Sequence, residues 1–203
     1  MTAQRRGRPQ AGTPPTAEEW QRATPVSFAH DWRGENADPA RETQVRMLWD
    51  DERLHIQFHC RYRGLHTFAE RNCRRDQLWL RDVAEVFIQT GRESTYRYTE
   101  FEISPNGCWL DLGIAPGVKA RLGWDIRSRV RVLPDRQVWV GEMSLPLPTL
   151  AGGGFTPEAT WRVNLFRIEG AEPRRFYSAW RPTRTPQANF HVPECFGELA
   201  FGA

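Results

Sequence analysis

Two glutamates two residues apart form the acidic pair best suited to chemistry in this chain. Glu100 and Glu102 lie in a strand-like run, so both side chains project from one face. With Asp111 on the next run, such carboxylates can act as general acid and base or bind sugar hydroxyls. The alternative is an exposed pair neutralised by arginines of a neighbouring strand, with Arg129 and Arg131 as candidates.

A third carboxylate, that of Glu85, interrupts the apolar run 83–88. A carboxylate in an apolar strand is costly to bury unless it is paired or hydrogen-bonded. Glu85 therefore requires either an arginine partner inside the fold or a bound ligand, and the sequence leaves both interpretations open.

The chain also holds nine tryptophans. Four of them lie in strand-like runs and are expected in the core or on a sheet face: Trp49, Trp109, Trp139 and Trp161. Trp79 and Trp180 differ because each lies at a strand end beside charged residues. A sugar ring has an apolar C–H face and a hydroxyl rim, so flat aromatic rings with nearby carboxylate, amide or guanidinium groups suit it.

Other chemical signals in the sequence are weak. His55 and His59 share a strand face but lie roughly 13 Å apart, too far to ligate one metal without a bulge. The four cysteines, at positions 60, 73, 108 and 195, show no zinc spacing and are expected to be free thiols. The sequence contains no Gly-rich phosphate loop, nucleophile elbow or His-Glu-x-x-His motif.

Short apolar runs separated by turn residues predict about ten strands and little helix. Hairpins are expected for 45–49 with 54–60, for 96–104 with 108–114, and for 127–133 with 137–145. This pattern favours an all-β fold, an antiparallel β-sandwich of the immunoglobulin-like or jelly-roll-like type. An up-and-down barrel is the alternative architecture.

Residues 1–16 carry several Pro and Gly and no bulky apolar side chain, which predicts a disordered leader before a domain at 17–203. The leader holds Arg5, Arg6 and Arg8, three of the 28 basic residues, against 25 acidic residues in the whole chain. The remaining domain is then formally neutral, which disfavours a nucleic-acid partner.

The sequence also bears on the cellular location. It has no run of about 18 apolar residues, so we expect no membrane span. The first thirty residues lack the pattern of a secretory signal. As written, the chain is expected in the cytoplasm, with a periplasmic or secreted location if its true start lies elsewhere.

Six blocks together resemble family 9 carbohydrate-binding modules, most of all the stand-alone bacterial proteins described as family 9-like. They are residues 43–49 (TQVRMLW), 54–58 (LHIQF), 78–88 (LWLRDVAEVFI), 98–107 (YTEFEISPNG), 161–170 (WRVNLFRIEG) and 190–197 (FHVPECFG). The match extends over about residues 24–201, which is nearly the whole chain.

The resemblance implies a β-sandwich that binds sugar without cleaving it, often at the reducing end of a glycan. It implies that Trp79 and Trp180 clamp the sugar and that Glu85, Glu102 and Asn164 hold its hydroxyls. Glu102 is near a position where xylanase-linked members carry an arginine. Structural calcium also occurs in the family, and its ligands are not assignable from this sequence.

The expected function is therefore binding of a mono- or oligosaccharide, associated with polysaccharide catabolism and a glycoside hydrolase partner. A rival hypothesis is a glycan-active enzyme that uses Glu100, Glu102 or Asp111 as acid and base. Another is a structural interaction module whose sugar site has decayed and whose Trp180 packs inward.

Overall fold

The computed structural model describes residues 1–7, 12–91 and 97–202. The strands are β1 (Thr2–Arg5), β2 (Val26–Phe28), β3 (Thr43–Trp49), β4 (Arg53–Arg61), β5 (Val83–Gln89), β6 (Tyr98–Ile103), β7 (Trp109–Ala115), β8 (Val118–Arg121), β9 (Arg127–Leu133), β10 (Val138–Pro146), β11 (Trp161–Glu169), β12 (Phe176–Ala179) and β13 (Gly197–Gly202). The helices are α1 (Ala17–Arg22) and α2 (Leu147–Leu150), with 3-10 turns at Pro39–Arg41, Leu78–Leu80, Pro134–Arg136 and Pro193–Cys195. Within these ranges, no helix has the length and apolar character needed to cross a bilayer.

The strands form one curled sheet in the order β8-β7-β6-β5-β11-β13-β1-β3-β4-β10-β9, with β12 beside β11 and β2 beside β3. The front sheet runs from β8 to β11 and the back sheet from β3 to β9, and β13 and β1 join them. The three predicted hairpins are confirmed as β3–β4, β6–β7 and β9–β10. The predicted β-sandwich is therefore confirmed.

The main core lies between the two sheets and is built by alternation along each strand. β4 contributes Leu54, Ile56, Phe58 and Cys60, β5 contributes Ala84, Val86 and Ile88, and β11 contributes Val163 and Leu165. Because successive side chains of a strand point to opposite faces, the residues between these ones lie on the outer faces. On β5 these outer residues include Glu85.

The turn between β6 and β7 fixes the register of the strands that carry the glutamate pair. Gly107 adopts a left-handed conformation (φ +84°), and its N–H donates to the carbonyl of Ser104 at 2.9 Å. A Cβ at this position would lie 2.1 Å from Oδ1 of Asn72. Glycine is therefore required here both by conformation and by space.

The prediction of a disordered leader is wrong for the first residues of the chain. β1 lies between β13 and β3 and pairs with both in parallel, with Ala3 opposite Phe201 and Gln4 opposite Leu48. Ala3 is fully buried. Composition missed this strand because its order comes from backbone pairing with distant segments, which needs no bulky side chain. Arg8 lies outside the described residues.

Arg6 extends this anchorage into a buried ionic network. Its guanidinium contacts Oε1 of Glu19 and Oδ2 of Asp50, each at 3.0 Å, and Nε2 of His55 at 3.2 Å. Glu19 also closes a capping box with Thr16 at the start of α1. Arg6 therefore belongs to the fold, and its charge is neutralised there rather than carried on a free leader.

Replacement of neighbouring arginines tests this anchor. The Arg6 side chain is 2% exposed, whereas that of Arg5, paired with Asp51, is 44% exposed. We expect Arg6→Ala to lower the free energy of unfolding by about 2–4 kcal/mol, since it removes a buried guanidinium and leaves the half-buried carboxylates of Glu19 and Asp50 without this partner. Arg5→Ala, the matched control, should cost less than about 1 kcal/mol. Urea titration followed by tryptophan fluorescence measures both, and equal small losses would show that the N-terminal strand contributes little.

Candidate functional site

The candidate site lies on the outer face of the front sheet. Residues directly opposite each other in antiparallel strands share a face. Glu85 of β5 is opposite Glu102 of β6 and Phe166 of β11, while Phe87 is opposite Glu100. Phe87 and Phe166 belong to a second apolar cluster, distinct from the main core. All three glutamates therefore lie on this second, outer face.

Two loops cover the outer face and bury it. The loop between β4 and β5 contributes Leu78 and Trp79, and the loop between β12 and β13 contributes Phe190 and Phe196. The ring of Phe190 stacks on that of Phe166 with centroids 4.2 Å apart. The sandwich thus has a third, irregular layer on one side.

Hydrogen bonds hold the Trp79 loop in place. Asp82 is fully buried, and its carboxylate accepts from the backbone N–H of His66 at 3.0 Å and of Gly170 at 2.7 Å. Arg175 donates to the carbonyl of Trp79 itself. The loop is therefore tied to the sheet on both sides of the indole.

A cavity of about 200 Å³ opens between the two loops. Trp79, Tyr177 and Phe190 line it with aromatic surface, while Glu85 and Glu100 supply carboxylates. Trp79 is half-buried. The structure thus brings Trp79 and Glu85, predicted to act together, into one pocket.

A basic and hydrogen-bonding group of residues lies at the same pocket. Nζ of Lys119 is 5.3 Å from the centroid of the Trp79 ring and 3.0 Å from Nε2 of His191. Burial, and next the Lys119 charge, lower the pKa of His191 to about 4. Nε2 of the neutral imidazole accepts from Lys119, so Nδ1 donates to the hydroxyl of Tyr98 at 2.7 Å.

The three carboxylates lie close together. One oxygen from each of Glu85, Glu100 and Glu102 lies within 4.8 Å of the others, and none of the residues is more than 2% exposed. Among the described residues, Oε1 of Glu85, Oε2 of Glu100 and both oxygens of Glu102 have no hydrogen-bond partner. We call this group the glutamate triad.

Burial is the main influence on the protonation of the triad. It raises the pKa of Glu102 well above the ordinary value, and the charges of Glu85 and Glu100 raise it further. Burial, followed by the charge of Glu100, raises the pKa of Glu85 in the same way. The pKa of Glu100 is also raised, again by burial first. Without an added positive charge, the triad therefore retains protons well above the usual range for glutamate.

A family model described as "Carbohydrate family 9 binding domain-like" matches residues 15–201. The chain therefore belongs to the carbohydrate family 9 binding domain-like proteins. A curated relative, an "Extracellular protein" of Arthroderma benhamiae, is 24% identical over 181 residues, covering 80% of each chain.

Solved structures share the fold of this family 9-like domain. A candidate carbohydrate-binding protein from Bacteroides uniformis aligns with a TM-score of 0.78 and 14% identity, over 99% of this chain and 98% of its own. A family 9 carbohydrate-binding module from Caldicellulosiruptor kristjanssonii, in complex with glucose, aligns with a TM-score of 0.66 and 14% identity, over 100% and 96% of the two chains. Its complex with cellotriose gives a TM-score of 0.67 and 13% identity, over 100% and 94%.

The family 9-like domain does not form the predicted clamp between Trp79 and Trp180. The backbone N–H of Trp180 donates to the carbonyl of Leu165, and its ring packs against the main core beside Gly197. Ala179 lies with the outer cluster, so the next residue along the strand turns to the opposite face. Trp180 is therefore removed from the pocket by the alternation of the strand.

Asn164, also predicted to bind sugar, has a structural role. Its Oδ1 accepts from the backbone N–H of Leu165 at 2.9 Å and of Arg181 at 3.0 Å. Its Nδ2 donates to the carbonyl of Arg181 at 2.9 Å. Asn164 is fully buried, and its amide fixes the chain just after β12 rather than facing the cavity. Glu102 lies next to the cavity, beneath Glu85 and Glu100, and does not line it.

The arginine partners proposed for the glutamates are not observed. Arg129 lies on β9 of the back sheet and pairs with Glu142. Arg131 lies on the same strand, so neither reaches Glu100 or Glu102. Within the described ranges, Glu85 likewise has no ion pair with arginine.

Asp111, the third proposed catalytic carboxylate, points away from the triad. It is opposite Phe101, a residue of the main core, and so lies on the inner face. Its Oδ1 accepts from Nε of Arg74 at 2.7 Å, and its Oδ2 accepts from the backbone N–H groups of Gly123 and Trp124. Both oxygens of this carboxylate bind loop residues, so Asp111 cannot act as the acid or base partner of Glu100.

Several pocket residues are not among those predicted from the sequence. Lys119, Tyr177, Asn189, Phe190 and His191 line the cavity, yet they lie on β8, on β12 and in the loop before β13. Phe190 and His191 begin the last of the family-like blocks, which was a usable signal. Nothing in the local pattern of Lys119 or Tyr177 reveals that the fold brings them to Trp79.

A second cavity, of about 210 Å³, lies on the back sheet between residues 12–14 and strands β4, β9 and β10. Two of its charged side chains are already paired, Arg53 with Asp125 and Arg129 with Glu142. None of the described residues that line it is a phenylalanine, tyrosine or tryptophan. This cavity therefore lacks the flat aromatic surface that Trp79 provides in the pocket of the front sheet.

The burial of Glu102 gives a prediction with a defined sign. A raised pKa in the folded state adds stability below the unfolded value of about 4.5, and this contribution is lost as pH rises through the folded pKa. The measurement uses protein freed of divalent cations by a chelator, so that no bound ion compensates the carboxylate charge. At about pH 8 the buried Glu102 destabilises the parent protein, so Glu102→Gln should raise the free energy of unfolding by about 1–3 kcal/mol. The gain should become smaller toward about pH 4, where the carboxyl is protonated in both the folded and the unfolded state.

The control for this measurement is Glu142→Gln, which removes an ion pair with Arg129 and so should not stabilise the protein. Urea unfolding across the pH range provides the comparison. A Glu102→Gln variant that is less stable than the parent at high pH would show that the carboxylate is stabilised by a partner.

Proposed function

We propose that this domain binds a mono- or oligosaccharide in the Trp79 pocket and does not cleave it. The observation that carries the proposal is the half-buried indole of Trp79 beside the carboxylates of Glu85 and Glu100 in one cavity. Membership of the carbohydrate family 9-like family supports it, as does the fold shared with a module whose structures are complexes with glucose and with cellotriose.

The pocket chemistry matches a neutral sugar. The indole of Trp79 offers a flat surface for the C–H face of a pyranose. Glu85 supplies an acceptor for hydroxyl hydrogens, and Lys119 and Asn189 supply donors for hydroxyl oxygens. Both halves of a hydroxyl group can therefore be satisfied, which a purely basic or purely acidic pocket would not allow.

The size of the cavity favours a small ligand or the end of a longer one. Its volume of about 200 Å³ is below the range of about 300–1,000 Å³ that drug-sized ligands occupy. This supports recognition of a terminal sugar residue of a glycan rather than an internal stretch.

We expect Lys119 to donate hydrogen bonds to the bound sugar. Its ammonium lies over the Trp79 ring, where the sugar face would rest. Lys119 is an exposed residue of β8, so its long side chain can move aside and donate to the sugar hydroxyls. Its contact with His191 provides a resting position in the absence of sugar.

Binding rather than hydrolysis is favoured by the arrangement of the acids. Asp111 is committed to Arg74 and to two backbone amides on the opposite face, so it cannot serve as acid or base. Glu102 is fully buried beneath the pocket. An association with a glycoside hydrolase stays a prediction from the family resemblance.

Calorimetric titration with glucose, cellotriose and a panel of other sugars tests the proposal. Binding should be modest, with dissociation constants from about micromolar to millimolar, because sugar hydroxyls exchange water contacts for protein contacts. Trp79→Ala should weaken binding at least about tenfold by removing the flat apolar contact.

Trp124→Ala is the matched control, since that half-buried tryptophan packs on Phe101 at the inner face and should leave sugar binding unchanged. Loss of binding in both variants would point to general destabilisation, and no binding by the parent protein across the panel would exclude the proposal. The same mixtures should contain no cleavage products; cleavage that disappears in Glu100→Gln would identify an enzyme instead.

A further inference from the structure

We infer that the glutamate triad is a site for a divalent cation with oxygen ligands. The triad shares Glu85 and Glu100 with the lining of the proposed sugar pocket, but cation binding can be measured without any sugar present. Three observations carry the inference: the spacing of the carboxylate oxygens, the burial of Glu102 without a hydrogen-bond partner, and the shortage of positive charge around the triad.

The spacing suits one ion. Calcium binds oxygen ligands at about 2.3–2.6 Å, so two ligands on opposite sides of it are about 4.6–5.2 Å apart and adjacent ligands are closer. One oxygen from each of Glu85, Glu100 and Glu102 lies within 4.8 Å of the other two. A single ion can therefore contact all three carboxylates with small side-chain movements.

Glu102 distinguishes the triad from an acidic patch on the protein surface, because its carboxylate is buried. Its side chain is completely buried, and in the described part of the chain neither carboxylate oxygen accepts from a backbone N–H, a hydroxyl or a cationic side chain; its polar neighbour is the carboxyl of Glu100, which brings no positive charge. Nearly all buried polar atoms in native proteins have a partner. A cation shared with Glu85 and Glu100 would give both the missing contacts and the missing charge.

The described part of the protein places little positive charge near the three carboxylates of the triad. The triad carries three negative charges when it is ionised, yet no salt bridge connects any of its members to a described arginine, lysine or histidine. The nearest cationic influences are Lys119 and Arg175, and both of them have other contacts. The site therefore favours a doubly charged ion over a side chain.

An ion has a route to the triad through the Trp79 pocket. Glu85 and Glu100 line the cavity, and Glu102 lies behind them. Waters in the cavity can complete the coordination shell, which for calcium requires six to eight oxygens. Lys119 lies at the same pocket, so its ammonium is a competitor for the incoming ion.

The experiment uses full-length protein treated with EDTA and then freed of chelator. Calorimetric titration with CaCl₂, and in parallel with MgCl₂ and MnCl₂, should show one saturable site for at least one ion, with a dissociation constant of about 1–100 μM. The same ion should raise the melting temperature in a scanning experiment without any sugar present.

Two variants test the assignment to the triad. Glu102→Gln, which keeps the shape of the side chain, should abolish the saturable site and the thermal shift, whereas Glu142→Gln on the back sheet should retain both. Lys119→Met removes the competing ammonium and should tighten ion binding several-fold. The Lys119 variant keeps the test informative even if Glu102→Gln alters folding.

Absence of a saturable site for all three ions would overturn the inference, as would equal responses of Glu102→Gln and Glu142→Gln. Neither outcome bears on the proposed function, because sugar titration in the presence of EDTA measures that separately. Sugar binding that persists in EDTA, together with ion binding lost in Glu102→Gln, would establish two separate ligands.

Discussion

The arrangement of the site depends on one constraint, the alternation of side chains along paired antiparallel strands. Because Glu85 is opposite Glu102 and Phe87 is opposite Glu100, a single register places three carboxylates on the outer face of the front sheet. A shift of one residue in β6 would send Glu100 and Glu102 into the main core. The Gly107 turn that fixes this register is therefore as important to the site as the glutamates themselves.

The same constraint forces the protein to cover its outer face. The outer face of the front sheet carries Phe87 and Phe166 beside the glutamates, while the other face packs on the main core, so loops must bury the apolar part of the outer face. The loop before β5 does this and carries Trp79 with it, held by Asp82. The aromatic wall of the pocket and the burial of the triad are thus consequences of one packing requirement.

Much of the fold could be predicted because its hairpins are local. The alternation in β4 and the Asn106-Gly107 turn encode strand pairing within short segments. β1 could not be found in this way, because its order comes from parallel pairing with β13 and β3, which are distant in the sequence. The sequence likewise predicts Arg6 to belong to a disordered charged leader, because only the fold brings its partners Glu19 and Asp50 to it.

The candidate site was predictable only where its residues belong to one strand or its immediate flank. Trp79 and Glu85 are six residues apart, and the structure does unite them. Trp180 lies outside the pocket because alternation continues beyond the last paired residue, Ala179, and a position at a strand end does not by itself expose a side chain. Lys119 reaches Trp79 only through the packing of β8 beside β7 and of the loops above them. A pocket assembled from separate segments in this way depends on how the strands pair and how the loops pack over them. The buried carboxylates of the triad and the ammonium of Lys119 come close to each other only in the folded protein, so no local sequence pattern reveals their interaction.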